Sequence, residues 1–321
     1  MNTQIKLAGF TALLAAAAAT VQAEVKINEN LSLDGYAIGS AVITHGTSDT
    51  NKTILGKSGN QFDSVFVGVS GKYNDLSGRV SFQAANPFDN TSDDTSGVLD
   101  AYVTYTAGDV AVTAGKYLGY LGFESYHTPN NAFISYSNAF YASPFATGVK
   151  VDYTGDGFSA GVSARDSQIV GGSNFATGDG EYSDDIGYEA FFSYTGIKDL
   201  TLFFGVGYEN VDGFDSVLEG DFWLNYNVSD KLSVAGEVTS VQDATDLSWL
   251  GQVSYKVTQE LSASARVTYF DGKSGDVFGY GVASTYTFTP NFSLKGEISL
   301  NDRNVGGPNT AQYGVQGLFR F

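Results

Sequence analysis

Gln312-Tyr313-Gly314-Val315-Gln316-Gly317-Leu318-Phe319-Arg320-Phe321 is an unbroken alternation. Tyr313, Val315, Gly317, Phe319 and Phe321 share one parity; Gln312, Gly314, Gln316, Leu318 and Arg320 share the other. A period of two describes a β-strand with two unlike faces. Soluble domains usually fray into polar residues at their ends, and an apolar strand left unpaired invites aggregation. Another strand is therefore expected to pair with this one up to its last residue.

The same alternation recurs upstream. Leu200, Leu202, Phe204, Val206 and Tyr208 form one apolar row, Leu261, Ala263, Ala265, Val267 and Tyr269 a second, and Phe292, Leu294, Ile298 and Leu300 a third. Each segment approaches the ~9–11 residues of a tilted membrane strand. The charges in them, such as Arg266, Lys295 and Glu297, fall on the opposite parity. A Lys or Arg facing lipid near the bilayer midplane costs roughly 2–4 kcal/mol, so these charges are expected to face a wet interior. Extended along the chain, the parity puts Arg79, Lys116, Lys150, Asp152, Arg165, Glu189, Asp221, Glu237, Arg266, Lys295, Glu297 and Arg320 on that inner wall.

Connectors alternate in length. Short turns are expected at 106–109, 154–156, 195–199, 227–230, 257–260 and 289–291, with a somewhat longer one at 71–77. Between them lie mostly longer polar loops near 45–61, 86–97, 119–144, 166–185, 209–216, 242–246, 271–276 and 301–310. Seven turns and eight loops separate sixteen strands. An even count with short turns on one side is the layout of a transmembrane antiparallel up-and-down β-barrel. The prolines at 87, 129, 144, 290 and 308 all fall in connectors, as a hydrogen-bonded ladder requires. Tyr105, Tyr153, Tyr194, Tyr226, Tyr255, Tyr286 and Phe288 precede the short turns, where an aromatic ring suits a bilayer interface. A soluble β-sandwich would not need eight evenly spaced hairpins and rarely reaches this length. The last strand should close against the first, near 30–44, leaving no edge.

Composition narrows the function. The chain has no Cys and two His among 321 residues, which excludes disulfides and thiolate sites and leaves little imidazole chemistry. Its net charge of −18 disfavours nucleic acid as a partner. Hydrophobic residues at 42 % and aromatics at 14 % argue against disorder. Residues 1–23 combine Lys6, an apolar run from Leu7 to Ala19 and a small-residue end at Val21-Gln22-Ala23. They read as a signal peptide cut before Glu24, leaving 24–321 as one barrel domain. The mean hydropathy is −0.09, and no later segment approaches a membrane helix; a closed barrel hides its membrane signal in alternation.

Function is expected in the third loop. The segment from Gly115 to Tyr153 holds the longest connector and is rich in Phe and Tyr, unlike a solvated tail. Gly115-Lys116-Tyr117, Phe123-Glu124, Pro144-Phe145 and Thr147-Gly148-Val149-Lys150 resemble the OmpL-like family of outer-membrane β-barrel porins. The resemblance implies passive diffusion of small hydrophilic solutes, with no catalysis and no cofactor. By analogy with general porins it also implies that Glu124–Pro144 folds into the barrel as a constriction carrying Glu124, Ser125, Tyr126, His127, Asn130 and Asn131. It further implies a homotrimer, for which Gly35, Ala37, Gly39 and Ala41 of the first strand would permit close packing. Phe319 and Phe321 resemble the C-terminal aromatic signal read by the outer-membrane insertion machinery, with Gln316 standing where that signal usually has Gly.

Most of the negative charge lies in the loops. An acidic mouth concentrates cations, so a mild cation preference is expected; the same charges would also keep the loops soluble or bridge lipopolysaccharide through divalent ions. Sharper chemistry is weaker. Asp179, Glu181, Asp184 and Asp185 have oxygen ligands for Ca²⁺ but no EF-hand spacing. Glu124, Ser125 and His127 are too close in sequence to read as a triad. Phe203 and Trp223 could stack sugars or simply pack against the third loop. Gly205-Val206-Gly207 has no phosphate-loop spacing. Two alternatives to a general channel stand: a channel selective for a sugar or organic acid, and a non-conducting barrel serving as a surface or adhesion protein.

Overall fold

A computed structural model of the chain describes residues 24–46, 51–54, 64–85, 95–137, 145–166, 186–210, 215–243, 245–272, 275–304 and 309–321. The signal peptide reading, the acidic cluster at 179–185, and Pro87, Pro144 and Pro308 fall outside them. The strands are β1 (Glu24–Lys26), β2 (Leu31–His45), β3 (Asn51–Ile54), β4 (Ser64–Tyr73), β5 (Leu76–Ala85), β6 (Thr95–Ala107), β7 (Val110–Leu118), β8 (Phe145–Thr154) and β9 (Phe158–Asp166). They continue as β10 (Ile186–Tyr194), β11 (Leu200–Glu209), β12 (Val217–Asn227), β13 (Leu232–Val241), β14 (Thr245–Lys256), β15 (Leu261–Gly272), β16 (Gly275–Thr289), β17 (Phe292–Arg303) and β18 (Thr310–Arg320). β1 and β3 are short additions to β2. The other sixteen are staves of a closed antiparallel up-and-down barrel.

Alternation builds this wall. Val206 (55 % exposed), Phe204 (49 %) and Val282 (55 %) face out, while their chain neighbours Phe203 and Ala283 are buried. The aromatics preceding the short turns are all exposed, from Tyr194 to Phe288, and form a girdle at the turn end. The closing seam runs from Ala311↔His45 to Arg320↔Tyr36. It extends through Phe321, whose backbone N–H and C=O bond Gly35 at 3.0 and 2.9 Å. The tail is thus paired to its last residue. β1 takes over the same edge of β2 beyond that point, with Glu24 opposite Asp34. β18 and β1 therefore lie end to end along β2, Phe321 at the position before Glu24.

Three expectations are corrected. The first turn is the two-residue step Asn74–Asp75, not a longer one, because Asn74 adopts φ 53°, which Asn tolerates. The connectors expected at 242–246 and 271–276 are shorter, since Val241 pairs with Thr245 across β13 and β14 and Asp271 with Asp276 across β15 and β16. Gly35 offers no open surface for a neighbouring subunit: it is buried, and a Cβ there would collide with the Phe321 ring and come within 2.6 Å of the Phe66 carbonyl oxygen.

Candidate functional site

The chain between β7 and β8 is the site's centre, and residues 119–137 of it are described. This strap meets wall residues of the inward row. Tyr120 N–H donates to Glu189 at 3.1 Å and Gly122 N–H to Asp221 at 2.7 Å. Phe123 N–H donates to Glu237 at 2.6 Å, and Arg266 donates to Glu124 at 2.6 Å. The return leg is held by cations and one acid. Lys295 donates to the carbonyls of Asn131 (2.6 Å) and Phe133 (3.2 Å), and Arg320 to that of Pro129. Glu297 accepts the N–H groups of Ile134 and Ser135 and the Ser135 hydroxyl.

Chain length fixes the strap's course. Staves ~4.8 Å apart and tilted about 40° each take ~6 Å of circumference. β7 and β15 are eight staves apart, ~50 Å around the wall. Leu118 pairs within the wall on β7 and Glu124 reaches Arg266 on β15, yet six extended residues span only ~21 Å. The strap therefore cuts across the interior rather than following the wall. Beyond it, Tyr126 and His127 pack near β2, β4 and β8. Tyr126 joins a buried cluster of Tyr36, Ile38, Phe66, Leu99, Phe145 and Leu318. The His127 ring lies 4.8 Å from that of Phe66, and its Nδ1 shares a 3.1 Å hydrogen bond with Tyr36 Oη.

The individual residues have distinct settings. Glu124 also accepts the Ser137 N–H. Ser125 and Asn131 lock the tip: Ser125 N–H donates to Asn131 Oδ1 and Asn131 Nδ2 to the Ser125 carbonyl, both at 2.8 Å. Ser125 Oγ accepts the backbone N–H of His127, not a bond from its ring. Asn130 is exposed. Desolvation, with the positive charge of Arg79, pushes His127 down to about 4. Burial, then the Asp152 carboxylate that accepts its hydroxyl at 2.6 Å, raises the Tyr120 phenol far above its usual range. Phe203 stacks on Trp223 at 4.9 Å, and both are covered by Leu121 and Phe123 of the strap.

Several wall charges also pair along the wall, some of them while touching the strap through Tyr120. Arg79 bonds Asp34 at 2.7 and 2.9 Å and lies 3.4 Å from Asp100. Arg165 bonds Glu209 and lies 3.2 Å from Glu189. Lys150 sits 4.0 Å from Asp152 and over the rings of Tyr117 and Tyr120. Lys116, expected on the inner wall, instead shares the outward parity of the exposed Val112 and Ala114 in β7 and reaches the Val98 carbonyl at 3.3 Å. Asp34, Asp100 and Glu219 are buried members of the inward row that the sequence reading passed over, although their parity marks them. Glu209, counted there with the loop, lies in β11 and is buried. Phe319 faces outward, its ring 6.2 Å from that of Phe321.

Comparison with known proteins bears on the fold and the family. The family described as "Putative beta-barrel porin-2, OmpL-like" matches residues 19–311. Among solved structures, an anion-selective porin from Comamonas acidovorans superposes with a TM-score of 0.65 at 13 % identity, over 91 % of this chain and 99 % of its own. A mutant porin of Rh. blastica superposes with 0.65 at 14 %, over 91 % and 100 %. OmpT of Vibrio cholerae, an outer-membrane protein, gives 0.58 at 14 %, over 93 % and 100 %. At these identities the likeness is one of fold. No curated protein matches the sequence.

Proposed function

The chain belongs to the OmpL-like β-barrel porin-2 family, and from that premise we propose that it is an outer-membrane channel for passive diffusion of small hydrophilic solutes and ions, narrowed by its third loop. The observation that carries this is a closed sixteen-stave barrel whose inward row is charged and whose interior is crossed by a strap. A closed barrel of this size encloses an aqueous lumen. Residues 1–23 direct export and are removed before Glu24. The acidic loops favour cations at the mouth, and the residues from Glu124 to Asn131 with their wall partners form the constriction. Lipopolysaccharide and the insertion machinery are its envelope partners. Subunits of a trimer would meet at the outward groove of about 940 Å³ that includes Ala41, Ala263, Ala265 and Gly296.

The test is current through purified folded protein in a planar bilayer across a KCl gradient. Stepwise openings with a cation-signed reversal potential are expected. An anion-signed potential would keep the channel and discard the acidic mouth. The second reading, a non-conducting surface protein, draws on the strap itself: Tyr126, Phe133 and Ile134 are 1–2 % exposed, as in a plug. Folded barrels that never open would establish it.

A further inference from the structure

We propose that Asp221 and Glu237, with the Ser248 and Thr239 hydroxyls beside them, form a binding site for a small hard cation, divalent in preference, at the seam between the strap and the wall. The two carboxylates project from adjacent strands into the interior and are 4 % and 2 % exposed. Asp221 stands opposite Thr239 and Glu237 opposite Trp223, so the acids are diagonal neighbours on one face, within mutual reach. Thr239 in turn stands opposite Ser248, and both are buried.

One oxygen of each acid is fixed by the strap: Asp221 Oδ2 accepts Gly122 N–H and Glu237 Oε1 accepts Phe123 N–H. Backbone N–H donors stabilise the ionised form of a carboxylate. The other oxygens, Asp221 Oδ1 and Glu237 Oε2, are buried without a partner among the described residues, and so is Ser248 Oγ. Two adjacent buried carboxylates with bare oxygens are costly unless a positive charge or a shared proton lies between them. The nearby cation on the strap side, Arg266, is engaged by Glu124 and Ser135, and Arg165 by Glu189 and Glu209. The donors are oxygen throughout, which selects hard cations of the Ca²⁺ and Mg²⁺ type. Among the described residues no three His, Cys, Asp or Glu side chains gather as a metal centre. Two carboxylates and two hydroxyls instead suit an exchangeable ion that keeps part of its water. Both acids also hold the strap's first leg, so occupancy is linked to its seating. The site requires the folded barrel and not conduction, and its failure would leave the channel reading standing.

The experiment is thermal unfolding of the full folded protein in detergent, stripped with EDTA and titrated with CaCl₂ or KCl at constant ionic strength. A saturable rise in Tm with Ca²⁺ is expected, at concentrations at least tenfold below those needed with K⁺. Asp221→Asn and Glu237→Gln should each weaken the Ca²⁺ response tenfold or more, while Asp276→Asn at the outer rim should keep it. No saturable rise, or a rise that both inner variants retain, overturns the site and leaves a shared proton between the acids. Equilibrium dialysis of Ca²⁺ on the wild-type protein decides the matter should the inner variants not fold: about one ion per chain, retained by Asp276→Asn, supports the site, and none refutes it.

Discussion

His127 shows how burial turns a common side chain into a pH-dependent one. Its folded pKa of about 4 lies below the ordinary 6.5, so the folded protein holds it neutral. The stability this contributes is complete above pH 6.5 and is lost as pH falls toward 4, a difference of order 3 kcal/mol. In melting curves between pH 7 and 4, His127→Gln should remove this part of the slope. Arg165 is the second informative residue, with a side chain wholly buried between Glu189 and Glu209. Arg165→Leu leaves two buried carboxylates uncompensated, a loss of ~3–5 kcal/mol readable in denaturant unfolding; Glu209→Gln should cost less, because Glu189 stays paired. Glu124→Gln leaves the Arg266 charge without its carboxylate partner, so the reversal potential in a KCl gradient should move toward anions.

Among the elements, β2 carries the largest share of consequence. It holds β18 and β1 on one edge and β4 on the other. Deleting Phe321 removes two backbone hydrogen bonds and the ring over Gly35; heat-dependent gel mobility should show fewer folded barrels. Gly35→Val should do the same from the opposite side of that contact. The strands were legible because each bears two unlike faces, and inward charges such as Lys295 and Glu237 could be assigned from parity alone. The strap was legible only as a long aromatic segment. Its bonds join residues 131 and 134 to 295 and 297, and no periodicity encodes a pairing at that separation. Parity puts Leu318 on the same row as Arg320, yet nothing on that row announces that Tyr126 of the strap would pack on Tyr36, Ile38, Phe66 and Leu318.

For the molecule as a whole, most of the inward charges are anchors of the strap. Glu189, Asp221, Glu237, Arg266, Lys295, Glu297 and Arg320 each hold the strap, while Arg79 and Arg165 pair along the wall. Removing residues 120–136 should therefore leave a folded barrel with a several-fold larger single-channel conductance. It should also unmask those charges, making selectivity more sensitive to salt. A deletion barrel of unchanged conductance would remove the strap from the permeation path.

The end-to-end placement of β18 and β1 has a consequence for how the ring is threaded. Phe321 and Glu24 occupy successive positions against Gly35 and Asp34 of β2, so together they trace one interrupted stave. A peptide bond from Phe321 to Glu24 would follow that line without a linker. The order of the staves would then be independent of where the polypeptide starts. A circular permutant opened at the Ser229–Asp230 turn should close into the same barrel.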